Sequence, residues 1–413
     1  MNRDPSFEVA PRRSGLRHLG APFWRYGLSY CGMSLGNGLH FAALPLLAAS
    51  ITRAPLAVAS VTFAEVLPWL FVSLPSGAIA DRYDRRRLMQ LSAVGRVVLL
   101  ALLLALMPLH LLSIPVLVGL GLLLGSTDTF GGNAAVGLVR GLVRPAQLEQ
   151  ANSVVGGIDA VLATLVGPTL GAVLFSVATG APFGLDALGF LLAALLLQGV
   201  RGDFRPRREA PATLLQEMRS GISWLWHHQM LRTLTVLFAT NNLAFGMIFG
   251  ILVLYVLEVL RLPQAAYGAL LATLAVGALV GAGLGARLGP RLRRQEVVVV
   301  ALGTETLCLA AAGVWPVLPV VAAAFVLIGL ADSVWSIVVI SYRQRQVPDP
   351  ILGRVTSAFR TLGVGAQPVG TILGGVLSQW IGLRAPFLAG AAVLLASTLL
   401  AAWAIDGAAF RAE

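Results

Sequence analysis

The chain has 413 residues, of which 57% are hydrophobic and 12% are charged, and its formal net charge is +11. Soluble domains carry about 25% charged residues, so this composition excludes a soluble protein and indicates a polytopic membrane protein. The basic excess does not indicate nucleic-acid binding. Basic residues beside membrane spans are explained by topology and anionic lipid headgroups, and no aromatic platforms for bases alternate with them.

Twelve apolar runs are predicted to cross the membrane as helices, because each has roughly 18 to 27 residues. Residues 1–23 are polar and basic and predict a cytosolic N-terminal tail rather than a signal peptide. The first six spans are predicted at 24–49, 56–79, 91–108, 112–138, 151–177 and 182–199. The second six are predicted at 231–258, 265–287, 296–313, 316–341, 355–381 and 386–405, before a cytosolic tail at 406–413. The predicted fold class is therefore an all-α membrane protein with six-helix bundles at 24–199 and 231–405.

A hydrophilic linker at 200–230 separates the two bundles. Apolar residues recur in it at helical spacing, namely Leu214, Leu215, Met218, Ile222 and Leu225. This pattern predicts an amphipathic helix that either lies on the inner leaflet or packs against the cytosolic ends of the bundle.

The distribution of arginine predicts the orientation in the membrane. Loops on the side of the N-terminus are rich in arginine, for example at 82–87 and 201–208, whereas the opposite loops offer Arg53, Arg261 and Arg384. This asymmetry predicts that both termini and the linker are cytosolic. Every basic residue is arginine, a usage typical of GC-rich bacteria, so we expect a bacterial inner membrane.

An internal repeat of 204 residues relates the two halves. The shift carries Asn37 onto Asn241, Gly77 onto Gly281, Gly125 onto Gly329 and Asp128 onto Asp332; with one residue of slippage it carries Gly167 and Gly171 onto Gly370 and Gly374. Parallel repeats of six helices predict a substrate site near the bilayer midplane, between the halves.

The loop after the second span carries a recognisable charge pattern. Gly77 is followed by Asp81 and Arg82 and then by Asp84 and a run of arginines that begins at Arg85. This pattern resembles the signature loop between the second and third helices of the major facilitator superfamily, with Asp84 where that family usually has a second glycine. It looks most like the exporter branch that includes enterobactin exporters and macrolide efflux proteins. The resemblance implies transport by alternating access, with Gly77, Asp81, Arg82 and Arg85 as a conformational latch against the eleventh helix.

A second motif lies in the fifth span. Gly167, Pro168 and Gly171 form a pattern that resembles the fifth-helix signature of proton-coupled antiporters, with Ala172 where a second glycine is usual. Small residues let helices approach closely. We therefore predict a gating contact of helices five and eight with helices two and eleven, built from Gly167, Pro168, Gly171, Gly281, Gly374 and Gly375.

The resemblance also implies that the first, fourth, seventh and tenth helices line a central cavity. Polar residues at the middle of these spans are candidates for contact with a substrate, namely Asn37, His40, Asn133, Asn241, Asn242 and Ser336. Each of them could instead make a hydrogen bond between helices, and for His40 that structural role is favoured over proton transfer.

Several acidic residues lie within apolar runs and are candidates for proton coupling. They are Asp128, Asp159, Asp332 and Glu65, with Asp128 the first choice. A carboxylate near the bilayer centre costs about 2.5–3.5 kcal/mol on insertion scales, which favours a function for such residues. Asp186, in contrast, is predicted to be a solvated or capping group near the outer end of its helix, and neither Glu65 nor Glu305 has a predicted partner.

The predicted function is export of an amphipathic or hydrophobic small molecule, such as a drug, a siderophore or a lipid-like compound. No cofactor is expected, and the energy is expected to come from a proton gradient. No nucleotide-binding motif occurs, and Cys31 and Cys308 lie in apolar runs without a metal-spaced cluster. We expect a monomer in contact with membrane lipids. Alternatives are a nutrient importer of the same fold, driven by proton symport, and a membrane sensor or scaffold without flux. An enzyme is not predicted, because no nucleophile, base and orienting acid converge at a recognisable spacing.

Overall fold

A computed structural model of the chain describes residues 19–80, 82–202, 204, 214–288 and 294–404. We label the membrane-spanning segments α1 to α12. In the first half they are α1 (Gly20–Ile51), α2 (Pro55–Val66, Pro68–Phe71 and Ser73–Ala80), α3 (Arg85–Leu106), α4 (Ile114–Leu142), α5 (Leu148–Ile158, Asp159–Val166 and Gly167–Val177) and α6 (Ala181–Gln198).

A linker helix (Leu214–His227) precedes the second half. The segments there are α7 (Gln229–Phe249, Leu252–Leu254 and Tyr255–Val259), α8 (Gln264–Leu288), α9 (Arg294–Val314), α10 (Leu318–Gln346), α11 (Asp349–Val364 and Ala366–Trp380) and α12 (Ala385–Ala404). Helices therefore occupy every predicted span, and the prediction of an all-α membrane protein is confirmed.

Four spans, α2, α5, α7 and α11, are each divided into shorter helical segments. Pro68 cannot donate a backbone hydrogen bond and begins a new segment of α2. In α5 the middle segment is a π-helix that ends where Pro168 follows Gly167. In the described residues, nine helices are long and apolar enough to cross a membrane, and the bent α7 makes ten. The broken α2 and the amphipathic first segment of α11 fall below that criterion, which explains the difference from twelve.

Several helices are longer than predicted. The fourth span, predicted at 112–138, extends to Leu142, and the tenth, predicted at 316–341, extends to Gln346. Both extensions carry arginine in the last turn, where a cation is favourable to the helix dipole. The helices therefore continue beyond the apolar run on the arginine-rich side, which a hydrophobicity criterion alone does not detect.

The two halves pack by the same helix pairs. Gly125 of α4 lies against the carbonyl of Glu65 in α2, and its repeat partner Gly329 of α10 lies against the carbonyl of Leu274 in α8. Gly171 of α5 likewise lies against Leu39 of α1, as Gly374 of α11 lies against Met247 of α7. The internal repeat in the sequence thus corresponds to a repeat of packing.

This packing corrects the predicted gating contact. Gly167 lies against Gly38 of α1 and Gly281 lies against Leu330 of α10, so these glycines, with Gly171 and Gly374, pack inside their own half. The prediction that they join helices of opposite halves was wrong. Glycine marks where two backbones come closest, and the closest pairs are those that stay together within a half.

The contact between the halves involves other residues. Gly375 of α11 lies against Leu56 and Ala59 of α2, and Gly268 of α8 lies against Pro168 and Ala172 of α5. Both contacts lie toward the membrane face opposite the N-terminus, because α2 and α8 begin there and α5 and α11 end there. The structure is therefore closed on that face, and Gly375 and Pro168 are the predicted gate residues that do lie between the halves.

The linker helix packs on the bundle rather than lying free of it. Leu225 is fully buried in a cluster with Met230, Val355 and Phe359. Gly221 approaches the backbone of Arg354 in α11 so closely that an added Cβ would stand 2.6 Å from the carbonyl oxygen. The sequence allowed a helix on the inner leaflet or a helix packed against the ends of the bundle. The structure has the packed arrangement, in which the helix covers the end of the second half.

Candidate functional site

A network of charged side chains is buried in the first half. Arg96 of α3 is fully buried, and its Nε and Nη2 donate to the two carboxylate oxygens of Asp186 in α6 at 3.2 and 2.9 Å. Its Nη1 donates to Asp128 Oδ1 of α4 at 2.6 Å. The guanidinium also lies over the ring of Phe190, with 4.4 Å between Cζ and the ring centroid. One cation thus joins two carboxylates from two helices.

Arg96 was absent from the sequence-based predictions. It is the one charged residue in the predicted third span at 91–108. A signal was available, because an arginine inside a span must pair with an acid, and the neighbouring spans contain Asp128 and Asp186. The positive-inside rule considers arginines in loops, so an arginine inside a span does not contribute to that prediction.

The structure also corrects the prediction for Asp186. Its side chain has no exposure to solvent, although it lies only five residues after the first residue of α6. Gly36 of α1 leaves space for it, since a Cβ at that position would collide with the Asp186 carboxylate. Asp186 is therefore a buried ion-pair partner and not a solvated helix end.

His40 of α1 lies between two acids. Its Nδ1 is 3.6 Å from Asp186 Oδ2, and its Nε2 is 3.5 Å from Glu65 Oε1 of α2. Neither nitrogen meets the geometry of a hydrogen bond, and the ring is 1% exposed. The ring of Phe183 contacts it edge-on. His40 thus connects Glu65 to the Arg96 network and supplies the partner that the sequence did not assign to Glu65.

A central cavity of about 350 Å³ lies between the halves. Its polar, charged and aromatic lining consists of Asn37, Phe41, Thr62, Glu65, Trp69, Asp128, Phe249, Tyr267, Arg360 and Gln367. Glu65 and Asp128 are 15% and 22% exposed, so their carboxyl groups form the boundary between the cavity and the buried network. The rings of Phe41 and Phe249 meet across the two halves, with 6.0 Å between their centroids.

A second cavity of about 310 Å³ lies in the second half. Its polar and aromatic lining consists of Thr164, Phe238, Asn241, Asn242, Phe245, Phe249, Asp332, Ser336 and Gln367. Phe249 and Gln367 line both cavities, so the two are neighbours.

The predicted cavity residues divide into two groups. Asn37 lines the central cavity, and Asn241, Asn242 and Ser336 line the second one. His40 belongs to the buried network. Asn133 donates instead to the carbonyl of Ser73 at 3.0 Å and to the hydroxyl of Ser76 at 2.5 Å, and so joins α4 to α2. These two side chains make contacts between helices, which was the alternative that the sequence left open for each polar residue.

The remaining candidate acids each have a separate environment. Asp159 of α5 accepts hydrogen bonds from the Tyr30 hydroxyl at 2.7 Å and from the Ser34 hydroxyl at 2.5 Å, both on α1. Asp332 accepts from the Trp335 indole at 3.2 Å. The structure thus brings Asp128 and Glu65 together at one cavity and places Asp159 and Asp332 elsewhere.

The predicted latch is described only in part. Asp81 lies outside the described residues. Arg85 donates to the carbonyl of Gly137 in α4 at 3.1 Å, and Arg82 is exposed. A Cβ at Gly77 would meet no atom within 4 Å. In this state Gly77 therefore has no close neighbour that would require glycine.

Comparison with known protein families gives one match over most of the chain. The family described as transmembrane secretion effector matches residues 29–405. The multidrug efflux pump Tap of Mycolicibacterium fortuitum is 26% identical over 367 residues, covering 86% of this chain and 88% of that protein. Tap of Mycobacterium tuberculosis is 27% identical over 387 residues, covering 89% of each chain.

Solved structures with the same fold are more distant in sequence. A bacterial homologue of the iron transporter ferroportin, in an inward-facing state, has a TM-score of 0.73 at 18% identity and covers 95% of this chain and all of its own. A bacterial homologue of the lysosomal transporter Spinster, inward-facing and unoccupied, has a TM-score of 0.67 at 13% identity and covers 96% of each chain. At these identities the likeness concerns the fold alone.

Proposed function

The chain belongs to the transmembrane secretion effector family of the major facilitator superfamily, and from that premise we propose that it exports an amphipathic or hydrophobic small molecule in exchange for protons. It is a multi-pass membrane transporter and not an enzyme. Its efflux-pump relatives support the direction of transport.

The observation that carries the proton coupling is the position of Asp128. One of its oxygens binds Arg96, while its partly exposed carboxyl group lines the central cavity. A proton or a cation that arrives from the cavity therefore competes with Arg96 for the same carboxylate. Binding at the cavity wall can thereby change an ion pair that joins α3 to α4.

The charges of the network support the same role. Arg96 carries one positive charge, but the network contains three carboxyl groups. Asp128 and Asp186 contact Arg96, and Asp186 and Glu65 lie beside His40. Buried carboxylates without compensation are costly, so at least one of these groups has to bind a proton or pair with a cation. Glu65 and Asp128 are the two that the cavity reaches.

The cavity suits an amphipathic cargo. Trp69, Phe41, Phe249 and Tyr267 supply aromatic surface, and the two carboxyl groups supply a polar end. Mostly apolar walls with a few placed polar groups are typical of small-molecule sites. Closure of the face opposite the N-terminus supports an inward-facing state in which cargo enters from the cytosol.

Replacement of Asp128 by asparagine tests the coupling. In inside-out vesicles with an acidic interior, the unmodified protein should accumulate ethidium, used here as an amphipathic probe. Asp128→Asn should lose gradient-driven accumulation by about tenfold or more, as expected when a group essential for proton transfer is removed. Counterflow of ethidium without a gradient should be retained, because asparagine keeps the size of the side chain.

Glu258→Gln is the matched control, since Glu258 is 39% exposed and its nearest ion-pair partner, Arg53, is 4.0 Å away at the surface. It should accumulate ethidium normally. Unchanged accumulation by Asp128→Asn would remove Asp128 from the coupling mechanism and make Asp159 the next carboxylate to test. Accumulation in right-side-out vesicles instead would indicate import.

We further propose that the protein resides as a monomer in a bacterial cytoplasmic membrane, with both termini in the cytosol. The arginine-rich loops on the side of the N-terminus support this orientation. After replacement of Cys31 and Cys308, the variant Ala54→Cys should react with an impermeant maleimide in whole cells, because Ala54 is exposed on the opposite face.

A further inference from the structure

The second half buries an acid that the proton-coupling site does not use. Glu305 of α9 has no exposure to solvent. Its Oε2 accepts a hydrogen bond from Asn241 Nδ2 of α7 at 2.6 Å. Its Oε1 is buried and has no hydrogen-bond partner. An orphaned carboxylate oxygen in a protein interior is costly, so this atom points to a missing proton or a missing ligand.

Glu305 lies on α9, the helix that corresponds to α3 in the second half, although the 204-residue shift itself carries Arg96 onto Val300. α3 begins at Arg85 and α9 begins at Arg294, and Arg96 and Glu305 are each the twelfth residue of their helix. Arg96 pairs with Asp128, whose repeat partner is Asp332. Glu305 is connected to Asp332 through Asn241, which binds Glu305 and lines the same cavity as Asp332. In the first half α3 thus places a cation beside Asp128, whereas in the second half α9 contributes an acid near the cavity that Asp332 lines.

No basic side chain compensates this pair within the described part of the chain. The polar groups bound to the two acids are the Asn241 amide and the Trp335 indole, both neutral. Among the helices around α9, α10 carries Tyr342, Arg343 and Arg345 only in its last turns, at least ten residues beyond Asp332. α12 has no titratable residue between Ala385 and Ala404, and α9 adds Cys308, with Arg294 as its first residue and Glu296 in its first turn. α7 adds Arg232 near its first residue, Glu258 near its last, and the Tyr255 hydroxyl, which donates to the carbonyl of Ala312.

The adjoining cavity suits an organic cation. Asp332 and Asn241 line it, together with the rings of Phe238, Phe245 and Phe249. Aromatic faces attract cations and also bury apolar groups. Asp332 is partly buried at the cavity wall, and the fully buried Glu305 lies behind Asn241. Two carboxyl groups in such surroundings are not both ionised without a cation nearby, so the site holds either one proton or one positive ligand.

We propose that Glu305 and Asp332 form a binding site for the cationic head of an amphipathic molecule, with Asn241 as a positioning residue, and that this cation competes with one proton. The inference rests on the proposed export function for its cargo, but the site can be tested by binding alone. It assigns proton coupling to the first half and recognition of positive charge to the second.

Equilibrium binding of tetraphenylphosphonium to the purified full-length protein in detergent tests the site. This probe carries a permanent charge and has no titratable proton, so any pH dependence belongs to the protein. Between about pH 6 and about pH 8 the affinity should rise by up to about tenfold per pH unit, the limit for one competing proton. Glu305→Gln should weaken binding by about tenfold or more and move the pH dependence to lower pH, because the remaining carboxyl group no longer has an acidic neighbour that favours its protonated form.

Three comparisons make the result decisive. Asp332→Asn should behave as Glu305→Gln does, and it carries the test if Glu305→Gln does not fold. Glu258→Gln should bind as the unmodified protein does, because Glu258 lies at the surface away from the cavity. Triphenylphosphine oxide, a neutral aromatic analogue, should bind more weakly and without pH dependence.

Unchanged affinity and unchanged pH dependence in both Glu305→Gln and Asp332→Asn would overturn the proposal, as would equal binding of the neutral analogue. These outcomes are separate from those of the transport assay, because no gradient is applied. Intact ethidium export with no effect of either substitution on binding would reject this site alone. Binding that depends on both acids, without proton-driven export, would support this site and reject the function.

Discussion

Replacing Arg96 with methionine should lower the free energy of unfolding by about 3–5 kcal/mol, the usual cost of removing one partner from a buried ion pair. Methionine fills a similar volume, but Asp186 and Asp128 lose the guanidinium that binds both of them. Asp186 has no exposure to solvent, so water cannot take the place of the lost partner. Thermal unfolding in detergent, followed by tryptophan fluorescence, measures the loss as a lower Tm.

A matched control and a rescue distinguish this effect from a general intolerance of methionine. Arg53→Met removes an arginine that is 56% exposed, and it should change stability by less than about 1 kcal/mol. Adding Asp186→Asn to Arg96→Met should restore part of the stability, because it removes one of the two uncompensated charges. Lower pH should also restore part of it. A Tm equal to that of Arg53→Met would show that the buried network contributes little.

Replacing Gly375 with leucine should shift the protein away from the closed state seen here. Gly375 of α11 lies against Leu56 and Ala59 of α2, in the contact between the halves. Overpacking costs about 1–3 kcal/mol, which corresponds to a change of about 5- to 150-fold in the ratio of the two states. Double electron-electron resonance between labels at Ala54 and Trp380, after replacement of Cys31 and Cys308, should show a larger population at long distance.

Gly171→Leu is the informative comparison. Gly171 packs against Leu39 inside the first half, where an added Cβ would stand 2.6 Å from the carbonyl oxygen. This variant should lower Tm while the distance between Ala54 and Trp380 keeps the distribution of the unmodified protein. The opposite pattern, with a shift in Gly171→Leu and none in Gly375→Leu, would mean that the halves part along another surface.

The outline of this protein could be predicted from its sequence because the bilayer acts on each segment separately. Hydrocarbon thickness sets the length of a span, so apolar runs such as 182–199 predict helices such as Ala181–Gln198 within a residue at each end. The spacing between Asp128 and Asp332 predicted the repeat in the same way, since it needs only a comparison of the chain with itself. The charge pattern that follows Gly77 also predicted that the chain belongs to the major facilitator superfamily.

The contacts at the site depended on the tertiary structure. Asp186 lies near a helix end in sequence, but the rotation of α6 turns it toward Arg96, and Gly36 of α1 makes room for it. Gly171 signals a close helix contact without naming the neighbour, and that neighbour is α1 instead of the other half. Hydrophobicity along a chain specifies which residues enter the membrane. Which polar groups meet there depends on how helices rotate and pack against one another, and that is a property of the assembled bundle.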